Sequence, residues 1–235
     1  MQIPGSVALV TGANRGLGRA FTRALVARGA RTVYAGARDP STVTDPGVVP
    51  IELDITDPEQ VAAVARRLDD VTLLVNNAGV SGSASFLGAG TSDPARAEME
   101  TNYFGTLSMS RAFAPVLARN GGGALVNVLS VLSFMTLPQV GSYSASKAAA
   151  WSLTNALRLD LAAQGTLVVG VHAGFIDTDM AAAVPLPKIA PEDVAGQTLD
   201  AVEAGTYEVL VDHYSRDAKA ALSADPEVLY PALRT

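Results

Sequence analysis

Cysteine is absent from this 235-residue chain, so neither a disulfide nor a thiolate-held metal can form part of it. Histidine is nearly absent: His172 and His213 are the only two, which argues against a zinc-dependent dehydrogenase site and leaves no metal centre to expect. Charged residues make up only 17% of the chain and the formal net charge is −6, so there is no basic footprint for nucleic acid or for an anionic membrane. The longest uncharged runs, 71–92 and 120–146, are broken by Asn, Ser, Gly and Pro, so no stretch of roughly 18 residues is continuously apolar as a membrane span would be. Met1–Gly5 lacks the basic stretch followed by an apolar one that marks an export signal. The expectation is a soluble cytoplasmic protein that binds neither nucleic acid nor membrane.

Hydrophobic residues, at 49%, are plentiful enough for a sizeable core and exclude a disordered chain. They fall into short apolar runs that alternate with longer helical patterns. Residues 6–11, 32–35, 48–53, 73–76, 124–129, 167–171 and 208–211 read as strands. Between them, helices are predicted over about 16–28, 57–68, 94–119, 143–163 and 192–204, with Asp57 as an N-cap and Pro58 in the first turn. Uninterrupted apolar strands suit a parallel sheet covered on both faces. The order implies right-handed crossovers and a single doubly wound α/β domain over 1–235.

The first strand runs directly into Thr11-Gly12-Ala13-Asn14-Arg15-Gly16-Leu17-Gly18, which opens the first helix. Glycines there permit a tight turn and a close backbone approach to phosphate, while the helix N-terminus supplies N–H groups and a favourable dipole. The spacing differs from the familiar Gly-x-Gly-x-x-Gly, and glycines at such a turn are often merely structural. The second strand leaves as Tyr34-Ala35-Gly36-Ala37-Arg38-Asp39. Gly36 stands where NAD-binding folds place a ribose-holding carboxylate, and Arg38 follows it. Arg38 with Arg15 therefore favours NADP(H) over NAD(H), although Asp39 remains a candidate for the ribose.

Tyr143 and Lys147 share a helix face four residues apart, and Ser130 closes the strand before them. A phenol becomes an acid–base catalyst near neutral pH when a cation favours its phenolate, and a serine hydroxyl can hold a carbonyl oxygen. Taken alone, the Tyr–Lys pair is an ordinary helix-surface spacing.

In their common order these features resemble the short-chain dehydrogenase/reductase family over nearly the whole chain: the glycine loop at 11–18, Asp54-Ile55, Asn76-Asn77-Ala78-Gly79, Asn102, Ser130 and Tyr143 through Lys147. The resemblance implies a Rossmann-type domain in which Tyr143 is the general acid in reduction and the base in oxidation. It implies that Lys147 lowers the tyrosine pKa and holds the nicotinamide ribose, that Ser130 positions the carbonyl, and that Asn102 supports a relay water at a local helix break. Gly12, Asn14, Arg15, Gly16, Leu17 and Gly18 would hold the pyrophosphate end. Asp54 and Ile55 would meet the adenine; Asn76, Ala78 and Gly79 would line the cofactor, with Asn76 tied to Thr11. Gly174, Ile176 and Thr178 would flank the nicotinamide. His172, near the site, is expected to be a packed or exposed residue and not a catalytic one, and Trp151, Phe104 and Phe113 to serve core or subunit contacts.

Two departures matter. Ala173-Gly174 replaces the usual Pro-Gly, which puts the rigidity of that loop in question. Only residues 181–190, apolar and proline-bearing, separate Met180 from the next helix, which argues for an open pocket taking a bulky or hydrophobic carbonyl substrate. The C-terminal tail after the seventh strand is polar and expected to be helical. The leading function is NADPH-dependent reduction of a ketone or aldehyde, or oxidation of a secondary alcohol. The alternatives are a 3-oxoacyl-thioester or natural-product ketoreductase and a non-catalytic NADP sensor. The family resemblance also implies a homodimer or homotetramer paired through the helices near 94–119 and 143–163.

Overall fold

The computed structural model describes residues 1–82, 86–87 and 93–233. Seven strands form one parallel sheet: β1 (Val7–Thr11), β2 (Thr32–Ala37), β3 (Val49–Glu52), β4 (Leu73–Asn76), β5 (Ala124–Val128), β6 (Leu167–His172) and β7 (Glu208–Leu210). Their order is β3-β2-β1-β4-β5-β6-β7. The chain builds outward from β1 in one direction, then returns to build from β4 in the other. The carboxyl ends of β1 and β4 therefore diverge into a crevice, where such sheets bind their ligands.

Helices α1 (Gly16–Ala27), α2 (Pro58–Arg67), α3 (Asp93–Met99), α4 (Thr106–Arg119), α5 (Gly141–Asp160), α6 (Pro191–Ala204) and α7 (His213–Ala220) complete the domain. One core layer packs Phe21, Leu25, Val194 and Leu199 of α1 and α6 on one sheet face; the other packs Val61, Met109, Phe113 and Leu157 of α2, α4 and α5 on the opposite face. Phe113 is a core residue, as expected, whereas Phe104 is 49% exposed. Asp57 caps α2 through Glu59 and Gln60 N–H, with Pro58 behind it, as the sequence predicts. None of the described helices is long and apolar enough to cross a membrane. The described residues also contain no cluster of His, Asp and Glu able to hold a metal.

The helix expected to run unbroken over 94–119 is not continuous. A π-helical segment, Glu100–Gly105, interrupts it between α3 and α4. Two contacts fasten this segment. Gly105 lies so close to Ile55 that an added Cβ would come 2.7 Å from the Ile55 side chain. The Thr106 hydroxyl donates to the Asn102 carbonyl at 3.0 Å. Periodicity alone does not separate 3.6 from about 4.4 residues per turn over so short a stretch. The remaining differences are shifts of a few residues at element ends, where capping governs.

Candidate active site

Building the crevice begins at Thr11, buried at the end of β1. Its hydroxyl accepts from the N–H groups of Asn77 and Ala78, both at 3.0 Å. Asn77 returns the tie, its amide donating to the carbonyls of Thr11 (2.9 Å) and Gly12 (3.2 Å). The glycine loop is thus laced to the end of β4 by Asn77, and not by Asn76 as the sequence suggested. Side chains of successive strand residues point to opposite faces, and this alternation decides between the two asparagines. Asn76 instead donates to Asn127 (2.9 Å) and Ser110 (3.3 Å), and Asn127 donates to Thr154 at 2.9 Å. A buried polar ladder thereby joins α4, β4, β5 and α5 beneath the site. Nothing in the sequence singled out Asn127, because its significance comes from being the cross-strand partner of Asn76.

At the mouth of α1 no side chain caps the helix: Arg15 occupies the N-cap without a side-chain bond. The first-turn N–H groups at Gly16, Leu17 and Gly18 therefore face the crevice as an anion site. Gly12 holds φ +63°, and a Cβ on Gly16 would meet the Thr178 methyl at 3.1 Å, so the glycine loop and the loop after β6 close on each other. This cradle suits a dinucleotide pyrophosphate. Asn14 donates to Thr42 at 3.1 Å, tying the loop to the turn after β2. Arg15 reaches Asp179 at 3.2 Å, both largely exposed, an arrangement worth little energy and easily exchanged for a phosphate.

The ribose-selecting end is equally defined. A Cβ at Gly36 would already lie 3.1 Å from Leu53, so no carboxylate side chain fits there without displacement. Asp39 is turned into a local cap, accepting from Ser41 N–H (3.0 Å) and hydroxyl (2.6 Å). Arg38 remains exposed beside Asp54. Asp54 is held below the usual carboxylate range, first by its bond to the Thr56 hydroxyl and also by the Arg38 charge. Its Oδ1 accepts from both the N–H and the hydroxyl of Thr56, so it shapes a turn as well as facing the crevice. Ile55 is almost fully buried and packs on Gly105.

Across the crevice, Asn102 lies in the π segment, as the expected helix break requires. Its side chain is fully committed: Oδ1 accepts from Val80 N–H, and the amide donates to the Val80 carbonyl and the Ser146 hydroxyl, all at 2.9 Å. Gly79 passes so close that a Cβ would stand 3.1 Å from Asn102 Oδ1 and 3.6 Å from Lys147 Nζ. Lys147 is buried and donates to the Val128 carbonyl at 2.9 Å, with its ammonium 5.8 Å from the centre of the Tyr143 ring. Two of its three donors remain for a ligand.

The Ser130 side chain acts on the Tyr143 phenol, and the Ser130 hydroxyl accepts from Leu132 N–H at 3.1 Å. Burial pushes the phenol up to about 12, outweighing the lowering by Ser130, with the Glu98 charge pushing the same way. The expected depression by Lys147 is not seen in the resting site, because desolvation dominates there. Burial likewise pulls Lys147 down to about 8. Its protonated form therefore costs the fold stability below pH ~8, a cost that fades as pH rises toward the ordinary value of 10.5. Lys147→Met should raise stability at pH 7 by ~1–3 kcal/mol in cofactor-free protein, with the gap closing by about pH 10. Urea unfolding at both pH values checks this.

Loop support near 174 comes from residues the sequence did not flag. Asp212 accepts from Gly174 N–H at 2.6 Å, and a Cβ on Gly174 would strike the Tyr214 ring at 2.8 Å. The capped start of α7 thus braces a loop that lacks the usual proline. Ile176 bridges to Ile189, and the bonds from Asp177 N–H to Ile189 O and from Ile189 N–H to Phe175 O stitch the short 181–190 segment back onto the loop. His172 is a packed residue, as expected: it is buried, stacks on Phe134 at 4.0 Å, and burial pulls it down to about 4. Its Nδ1 lies 3.2 Å from the Ser130 carbonyl and 2.9 Å from the Ser133 hydroxyl, behind Ser130.

Comparison with known proteins places this geometry in context. The short chain dehydrogenase family model matches residues 6–188. A short chain dehydrogenase from Burkholderia cenocepacia, solved in complex with NADP, is 49% identical over the full length of both chains, with a TM-score of 0.95. A short chain dehydrogenase/reductase from Burkholderia phymatum, solved with NAD, is 25% identical, covers 99% of this chain and 96% of its own, and has a TM-score of 0.85. Among curated proteins, a 3-oxoacyl-acyl-carrier-protein reductase of Vibrio cholerae is 31% identical over 98% of this chain and 94% of its own length.

Proposed function

Because the chain belongs to the short chain dehydrogenase family of oxidoreductases, we propose that it is an NADPH-dependent reductase of ketones or aldehydes, also able to oxidise the matching secondary alcohols. The observation that carries this reading is the convergence of Tyr143, Ser130 and Lys147 beside the crevice. The Ser130 side chain acts on the phenol, and the Lys147 ammonium lies 5.8 Å from its ring. Bound NADPH supplies the hydride. Ser130 orients the carbonyl oxygen and stabilises developing negative charge on it, and Tyr143 delivers the proton to that oxygen. Lys147 holds the nicotinamide ribose with its free donors. A phenol that keeps its proton at neutral pH suits the acid role in reduction. In oxidation, the ammonium and the positive charge of the oxidised nicotinamide would favour the phenolate.

Preference for NADP over NAD is supported by the closed space at Gly36, by Asp39 spent as a cap, and by Arg38 left exposed with Arg15 weakly paired. A bulky or hydrophobic substrate is supported by Phe86, Leu137, Met180 and Leu186, all exposed on the segments that flank Tyr143 and Thr178; Phe86 packs directly on Gly141. The 3-oxoacyl-thioester alternative draws support from the Vibrio cholerae relative, while the short 181–190 segment counts against it. Exposed Phe104 of the π segment, half-buried Leu107 and exposed Arg111 of α4, which line a groove, and Leu159 on α5 offer a face for pairing with a second copy of the chain.

The test is NADPH and NADH oxidation against a panel of aromatic ketones, diketones, aldehydes and 3-oxoacyl thioesters. The expected result is turnover of bulky ketones or aldehydes with a KM for NADPH at least ~10-fold below that for NADH, the worth of about one charge-assisted phosphate contact. Preference for NADH would overturn the cofactor assignment, and exclusive use of thioesters would favour the alternative.

A further inference from the structure

Glu98 sits on the buried face of α3, 1% exposed, one helical turn before Asn102. Asn102 meets α5 at Ser146, so Glu98 faces α5 one turn earlier, at the level of Ser142 and Tyr143. Its Oε1 accepts from Gly82 N–H at 2.7 Å, fastening the segment that begins at Gly79 beside Lys147. Its Oε2 is buried with no hydrogen-bond partner. Burying a carboxylate with one oxygen unsatisfied costs several kcal/mol, and a glutamine would make the Gly82 bond without burying a charge. The clamp therefore explains the oxygen that is bonded but not the charge.

The charge has a recipient. Among the described residues, the polar groups around the Tyr143 phenol are Ser130 from the end of β5, Lys147 one turn along α5, and Glu98 from α3. Lys147 is cationic and Ser130 neutral, so among these described groups Glu98 is the one whose carboxylate sets a negative charge against the phenol. Arg96, on the exposed side of α3, does not share this face. We infer that Glu98 is a positioning residue for proton transfer: its carboxylate fixes the Gly79–Gly82 segment and keeps the proton on Tyr143, biasing the site toward reduction. The inference rests on Tyr143 being the proton donor, and the upward push of Glu98 on the tyrosine pKa agrees with it.

The test is the pH profile of kcat/KM for alcohol oxidation, using the alcohol of the best carbonyl substrate, in wild type, Glu98→Gln and Glu98→Asp. In Glu98→Gln the rising limb should move about one unit toward lower pH, because the phenolate no longer faces a like charge. Glu98→Asp should move it back toward the wild-type position. A merely structural residue leaves the midpoint of the Gln protein unchanged, so coincident profiles, or a shift to higher pH, would overturn the inference. Should the Gln protein not accumulate, Glu98→Asp and Glu98→Asn, alike in size and different in charge, give the same comparison. A Tyr143→Phe protein that keeps full turnover would show the proton-donor assignment itself to be at fault. Coincident profiles with an inactive Phe protein would sink the role of Glu98 alone.

Discussion

Gly18→Ala should abolish cofactor binding and destabilise the fold by ~3–5 kcal/mol. The added methyl would sit 2.1 Å from the Gly12 carbonyl oxygen, 2.6 Å from the Asn77 amide and 2.8 Å from the Gly12 carbonyl carbon. None of these atoms can yield cheaply. The Gly12 carbonyl is held by Asn77, Asn77 is held by Thr11, and Thr11 lies in the most buried strand of the sheet. Relief requires the glycine loop to part from the end of β4, which dismantles the cradle at the start of α1. In thermal unfolding, wild-type protein should gain stability on adding NADPH, as any ligand selective for the folded state requires. The Ala protein should melt lower and show no such gain. Gly196→Ala is the control: inside α6, with only the Arg28 guanidinium 4.0 Å away, the same methyl should raise stability by ~0.5–1 kcal/mol. A Gly18→Ala protein that melts and binds NADPH like wild type would refute the proposed packing of the loop.

Much of this architecture was legible in the residues because it is written in local signals. All seven predicted runs became strands; the central ones, buried on both faces, leave uninterrupted hydrophobic stretches, whereas the edge strand β3 is mostly exposed. The Asp57-Pro58 start of α2 reads directly from capping chemistry. The glycine loop, Ser130, Tyr143 and Lys147 come together because they lie at strand ends and helix starts on the carboxyl edge of the sheet, which the order of elements determines.

What escaped the sequence depends on contacts between distant segments. The exchange of roles between Asn76 and Asn77 follows from strand facing, and the register is visible only once β4 is paired. The π segment depends on Gly105 pressing against Ile55, a contact about fifty residues apart in the chain. Asp212 and Tyr214 brace the loop at Gly174 from the polar tail, whose sequence announces only a helix. Glu98 lies in a stretch that reads as an ordinary charged helix; its importance is that of a carboxylate folded inward. The expected electrostatics also needed correction. Spacing brings Lys147 to Tyr143, but the balance of charge and desolvation depends on burial, which spacing does not report.

Tyr143→Phe should lower turnover by ~10²–10⁴-fold, the usual contribution of a positioned acid, while leaving NADPH affinity within a few-fold of wild type. The variant keeps the aromatic ring and removes only the phenol hydroxyl. The Lys147 bond to the Val128 carbonyl and the cradle at α1 do not depend on that hydroxyl. Binding and chemistry should therefore separate cleanly. The most direct measurement follows NADPH consumption by wild type and Tyr143→Phe at saturating carbonyl substrate, with NADPH affinity of both proteins titrated by fluorescence. Near-complete loss of turnover with retained affinity is the predicted result. Equal turnover in the two proteins would contradict the assignment of Tyr143 as the group that protonates the carbonyl oxygen.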